Sequence, residues 1–155
     1  MMSDKNIPLD YTNSVVYELQ KAFWDERGKG ARFRTTTIGK KYFEGKFLPL
    51  IKSNDIDEIV ETIQDTLKEE NIVGKMASER DGRLLRVQVE GCVHIEVEES
   101  LIALDVEPFT CIPANLIVLA IEEKLDLPVE LAEIKLKNGA CQLLIVVFEK
   151  RHQLG

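Results

Sequence analysis

The sequence predicts an α+β domain in which N-terminal helices pack on a mostly antiparallel sheet of two hairpins joined by a buried crossover helix. Three observations carry that reading. Apolar residues recur at helical spacing as far as Leu67, the period then changes to alternation around Asp81-Gly82, and a second alternating pair closes on Asn138-Gly139 after a nearly all-apolar run. With 155 residues, 45% hydrophobic and 30% charged, the chain fits one domain over 1–155 and can bury a core without staples.

Val15, Val16, Leu19, Ala22 and Phe23 recur at helical spacing, which predicts a helix from Asn13 to Glu26. Thr12 or Asn13 would cap it, and Gly28 and Gly30 would stop it, leaving 13–30 as helix and linker. Tyr17 and Trp24 widen its apolar surface, as core, subunit interface or ligand wall. A second helix is expected over Thr37 to Leu48, with Ile38, Tyr42, Phe43 and Phe47 on one stripe; Thr35 to Thr37 and Pro49 limit it. Ser53-Asn54-Asp55 opens a third, with Ile56, Ile59, Val60, Ile63 and Leu67 on one face and Asn54 and Asp57 as a capping pair.

Ile72 to Glu79 reads as a strand, and Leu85, Val87 and Val89 alternate with Arg86, Gln88 and Glu90 to complete a hairpin. The alternation resumes in phase after Gly91, with Val93, Ile95 and Val97 opposite Cys92, His94, Glu96 and Glu98. One long strand bent at Gly91 is therefore expected. Leu101 to Thr110 is a connection, and Pro113 suits the first turn of a helix whose residues Leu116 to Ile121 are apolar all round. Val129 and Leu131 change phase with Ile134 and Leu136 across Ala132, a bulge signal, and the last strand, Cys141 to Phe148, should be central.

The net charge of −7 argues against general binding to nucleic acid or anionic membranes unless a local basic patch overrides it. Such a segment exists: Arg27, Lys29, Arg32, Arg34, Lys40, Lys41 and Lys46 include few acids among them. It reads as a solvated face, a patch for an acidic second subunit, or a seat for phosphate, nucleic acid or a carboxylate headgroup. The three cysteines, Cys92, Cys111 and Cys141, are an odd number and imply no disulfide framework. Without an apolar leader or a run long enough to span a bilayer, the expectation is no membrane span, a cytoplasmic location and reduced thiols.

The order of these features resembles the small-molecule-binding domain named after 4-vinyl reductase. A Cys closes the first hairpin at Val89-Glu90-Gly91-Cys92, another, Cys111, opens the crossover helix, and a third follows a Gly turn at Asn138-Gly139-Ala140-Cys141. Thr37-Ile38-Gly39-Lys40-Lys41-Tyr42 resembles the opening of the family's preceding helix, so that the likeness covers about 37–149. The resemblance implies a non-catalytic binding or sensor module for a small hydrophobic, hydrocarbon or acyl-like ligand. It also implies the fold shared with the vesicle-tethering TRAPP subunits, and with it a homodimer. Ile38, Tyr42, Phe43, Phe47, Leu116, Ile117 and Ala120 would wall the ligand pocket, and Arg32 and Arg34 would form a basic mouth. The alternative is a ligand-free dimeric scaffold of the same fold.

Zinc is a further option, since thiolates and one imidazole complete a tetrahedral site: Cys92, His94, Cys111 and Cys141 are the available donors. The family's additional Cys on the strand before the last turn is absent near Ile134 and Lys135. No catalytic residues are assigned, because a nucleophilic Cys needs an activating base and only His94 and His152 exist; no dinucleotide-binding glycine fingerprint occurs either.

Overall fold

The computed structural model describes residues 6–33 and 37–149, and for Arg32 and Phe33 the backbone only. The α+β reading holds. Helix α1 (Leu9–Arg27) and a 3-10 turn (Gly28–Phe33) precede an irregular helical segment made of α2 (Lys40–Tyr42), a π turn (Phe43–Phe47) and a 3-10 turn (Leu48–Leu50). Helix α3 (Ile56–Glu69), strands β1 (Lys75–Asp81) and β2 (Leu84–Glu90), helices α4 (Ile95–Ala103) and α5 (Ile112–Leu125), and strands β3 (Val129–Lys137) and β4 (Ala140–Val147) follow. The strands form one antiparallel sheet in the order β1-β2-β4-β3, so the last strand is central as its two-sided apolar character requires.

One face of the sheet is dry. Leu85, Val87 and Val89 on β2 and Cys141, Leu143 and Ile145 on β4 join Ile59, Ile63 and Leu67 of α3 and the buried length of α5, Pro113 to Ile121, in a single core. The other face carries exposed Ala77, Arg86, Gln88, Lys135 and Gln142 along an open groove of about 490 Å³. The Asn138-Gly139 turn has both residues at positive φ, +52° and +76°, as a two-residue hairpin demands, and the register shifts between Leu131 and Glu133, where the phase change predicts a bulge.

Several expectations are corrected. Helix α1 begins at Leu9, after Pro8, and Asn13 does not cap it; Asn13 is 4% exposed and faces inward. The cap of α3 is Asp55, which accepts from Glu58 N at 3.1 Å, one residue beyond the Asn54 and Asp57 pair. The continuous helix over 37–48 is broken, for Pro49 cannot donate to an α ladder and the chain widens to a π turn in which Leu48 N bonds Phe43 O. The first hairpin strand begins at Lys75 rather than Ile72.

The largest difference lies after Gly91, where no strand continues. Gly91 is at φ +68°, Ile95 N bonds Cys92 O and Val97 N bonds His94 O, so the chain turns and enters α4. Val97 and Leu101 are then helical neighbours, and together with Ala31, Val106 and Phe109 they make a second, smaller core. Val16, Tyr17, Phe23 and Trp24 of α1 pack on it, with Trp24 and Phe109 ring centroids 5.5 Å apart. This makes the inner aromatics of α1 core residues.

Gly91 is held by space as well as by angle, since a Cβ there would lie 3.2 Å from the Cα and N of Gly74, whose N–H donates to Glu90 O at 2.9 Å. Gly91→Ala is expected to cost about 1–3 kcal/mol in urea denaturation. Gly82→Ala, also at positive φ but in open space, should lose less. Equal losses at the two positions would show that the approach to Gly74 carries no penalty.

Candidate functional site

The residues expected to wall a pocket divide into two groups. Phe43, Phe47, Leu116, Ile117 and Ala120 are 0–2% exposed and belong to one packed core, whereas Ile38 and Tyr42 are 45% and 40% exposed and face outward. The single stripe therefore does not form; the π turn aims Phe43 and Phe47 inward and leaves Ile38 and Tyr42 outside. Of the basic mouth, the Arg32 side chain and Arg34 lie outside the described residues, as does His152. Three surface grooves lined by described residues lie elsewhere, along the outer face of the sheet, beside Lys68 and Lys75, and between Trp24 and Phe109.

What does converge is the cover over α5. This helix is apolar all round from Leu116 to Ile121, and the segment from Gly39 to Ile51 closes one side of it: a Cβ on Gly39 would lie 3.5 Å from Ile112 and 3.6 Å from Leu116, and Phe43, Phe47 and Ile51 share the core with it. One polar peg joins the two. Buried Asn115 donates through Nδ2 to Ile38 O and to Thr110 Oγ1, both at 3.2 Å. The cover is otherwise a succession of single α, π and 3-10 turns of three to five residues each.

A second constellation gathers at the junction of α4, α5 and β4. The Cys141 thiol donates to Glu98 Oε2 at 3.1 Å, and Glu98 is only 6% exposed. Burial drives the Glu98 carboxyl up to about 7, with the Cys141 hydrogen bond opposing the rise. Burial likewise pushes the Cys92 thiol up to about 11, and the Cys111 and Cys141 thiols well above their ordinary range, with the Glu98 charge adding to each. Such thiols stay protonated at neutral pH and are poor nucleophiles. Glu98 is not singled out by the sequence, because an alternating strand through 93–97 sets it among outward residues; helical spacing from Val97 to Leu101 is the signal that places it at the core.

His94 does not project beside Cys92 from a strand. It stands at the N-terminus of α4, where its backbone N–H donates to Cys92 Sγ at 3.4 Å and its Nδ1 lies 3.2 Å from Asn13 Oδ1. Burial lowers its pKa. Asn13 in turn donates to Val93 O at 2.7 Å, so this pair is a latch between α1 and the start of α4. Among the described residues, no three His, Cys, Asp or Glu side chains are arranged to share a metal ion. As placed, Cys92, His94, Cys111 and Cys141 thus do not fit a zinc centre, and the imidazole is engaged elsewhere.

Among the described residues, exposed apolar side chains group on α1 and on the α5 cover, besides others such as Ile102 and Leu104. On α1, Tyr11, Val15 and Leu19 follow at i, i+4 and i+8 on the side away from the inner aromatics, and Tyr11 and Leu19 are 64% and 67% exposed. On the α5 cover, Ile38, Tyr42 and Leu50 stand out among lysines. No helix among the described residues is long and apolar enough to cross a membrane. A scan against protein-family models found no match to this chain, and a search of curated proteins found none either.

Proposed function

We propose that the protein is a non-catalytic binding module of the 4-vinyl-reductase type, holding a small hydrophobic, hydrocarbon or acyl-like molecule and working as a homodimer in a regulatory role. The observation that carries this reading is the pairing of helix α5, apolar in an unbroken run from Leu116 to Ile121, with a cover of single α, π and 3-10 turns. Such a run offers apolar contact in every direction, and a cover of short, irregular turns is the side most easily parted. A ligand would lie between α5 and the Phe43 and Phe47 rings, displacing the contacts that now close the core. The order of hairpin, Cys111-led helix and Cys141-bearing hairpin supports the same assignment. The outward stripe of α1 supports the dimer, since an apolar row of this kind is normally covered by a partner.

A second reading, a ligand-free dimeric scaffold of the same fold, is favoured by one specific observation: Phe43, Phe47, Leu116 and Ile117 already fill the place a ligand would take. Native mass spectrometry of freshly purified full-length protein separates the two. The binding module predicts a dimer carrying excess mass that is lost on denaturation and matches a lipid-like molecule. A dimer of bare mass would establish the scaffold, and a bare monomer would overturn both readings.

A further inference from the structure

We infer that the outer face of the segment over 38–50 is a docking surface for an anionic lipid bilayer, engaged peripherally. Ile38, Tyr42 and Leu50 are 45%, 40% and 51% exposed and Lys46 is exposed between them, while Phe43, Phe47 and Ile51 of the same stretch are buried. Lys40 and Lys41 are exposed beside them, Glu44 is the only acid from Ile38 to Leu50, and from the neighbouring end of α3 Glu70 acts on Tyr42, so three lysines stand against two carboxylates. The whole chain carries −7, so this segment is a local reversal of sign and not a reflection of bulk composition.

Apolar side chains interleaved with lysines identify the partner by chemistry. A bilayer with anionic headgroups takes both at once, the lysines at the phosphates and Ile38, Tyr42 and Leu50 at the acyl boundary. A nucleic acid would use the lysines and leave Ile38 and Leu50 without a role. A second copy meeting the same patch across a two-fold axis would set lysines against lysines, which an isologous contact disfavours. The absence of a spanning helix among the described residues makes the contact a surface one. The inference rests on this patch alone and does not depend on a ligand beneath it.

Co-sedimentation of the full chain with sucrose-loaded vesicles tests it, comparing pure phosphatidylcholine with phosphatidylcholine containing about a third phosphatidylglycerol. The protein should sediment with the anionic vesicles only, and less as salt rises. The K40E/K41E/K46E variant should bind at least about a hundred-fold more weakly, at roughly five-fold per lysine removed and more for reversal. I38S/L50S should weaken binding while keeping its salt dependence. All five positions are exposed, so thermal unfolding of each variant should match the parent and exclude misfolding as the cause. Failure of the parent to sediment, or undiminished binding by K40E/K41E/K46E, would overturn the proposal. So would variants that change oligomeric mass with vesicle binding unaltered, which would make the patch a protein interface.

Discussion

Phe47→Ala is expected to destabilise the protein by about 3–5 kcal/mol, read from the urea midpoint at constant slope. Phe47 is fully buried, sits at the end of the π turn and packs at a tilt against Tyr42, with ring centroids 5.7 Å apart and an interplanar angle of 58°. Its ring belongs to the same core as Leu116 and Ile117, so truncation removes apolar burial and leaves a cavity that a rigid helix cannot fill. Against a total stability of about 5–15 kcal/mol, that loss is a large share. Tyr42→Ala, on the exposed side of the same turn, should cost about 1 kcal/mol. The contrast matters for function as well as for stability. If the cover parts to admit a hydrophobic molecule, the hole left by Phe47 is where a small hydrocarbon such as benzene should bind and restore part of the loss. A Phe47→Ala cost below about 1 kcal/mol would mean that the cover does not close the core at all.

The legible parts of this fold are those where local chemistry and tertiary packing agree. Asn138-Gly139 sits in its turn because only residues tolerant of positive φ fit there, and α5 is buried from Pro113 to Ile121 because its run Leu116 to Ile121 has no polar face to show. The stretch from Cys92 to Val97 misleads because three apolar residues at every second position satisfy a strand, while Val93, Val97 and Leu101 also satisfy a helix at intervals of four. The decision is made by Gly91, whose left-handed conformation ends β2, and by the small core of Val97, Leu101 and Phe109, which rewards the helix. Neither is visible in a short window. At the candidate site the three cysteines are legible from their order alone, but the strand reading hides Glu98. The basic segment is visible in the sequence, whereas which of its apolar residues face outward depends on the π turn, and a π turn has no dependable sequence signal.

Glu98→Gln is expected to stabilise the protein at pH 8 by up to about 3 kcal/mol, and by little or nothing at pH 4. The sign follows from where the proton sits. Burial raises the Glu98 carboxyl from 4.5 to about 7 in the folded chain, while the unfolded chain keeps the ordinary value. Between those limits the folded state holds more protons than the unfolded state, so stability contributed by the neutral carboxyl is fully present below about 4.5 and is lost as pH rises through about 7. Gln has the same shape, can accept the Cys141 thiol and never ionises, so the penalty disappears with it. Thermal unfolding of both proteins across this range should give curves that meet in acid and separate towards alkaline pH. Cys141→Ala should act in the opposite direction. It removes the one donor to Glu98 found among the described groups, leaves the carboxylate less compensated, and should deepen the alkaline loss. Combining the two substitutions should recover the behaviour of Glu98→Gln alone, because the thiol is costly to lose only while a charge is there to be solvated by it. Parallel curves for the parent and Glu98→Gln at all pH values would show that the carboxyl is reached by water, and would remove the basis for treating the three thiols and Glu98 as one closed cluster.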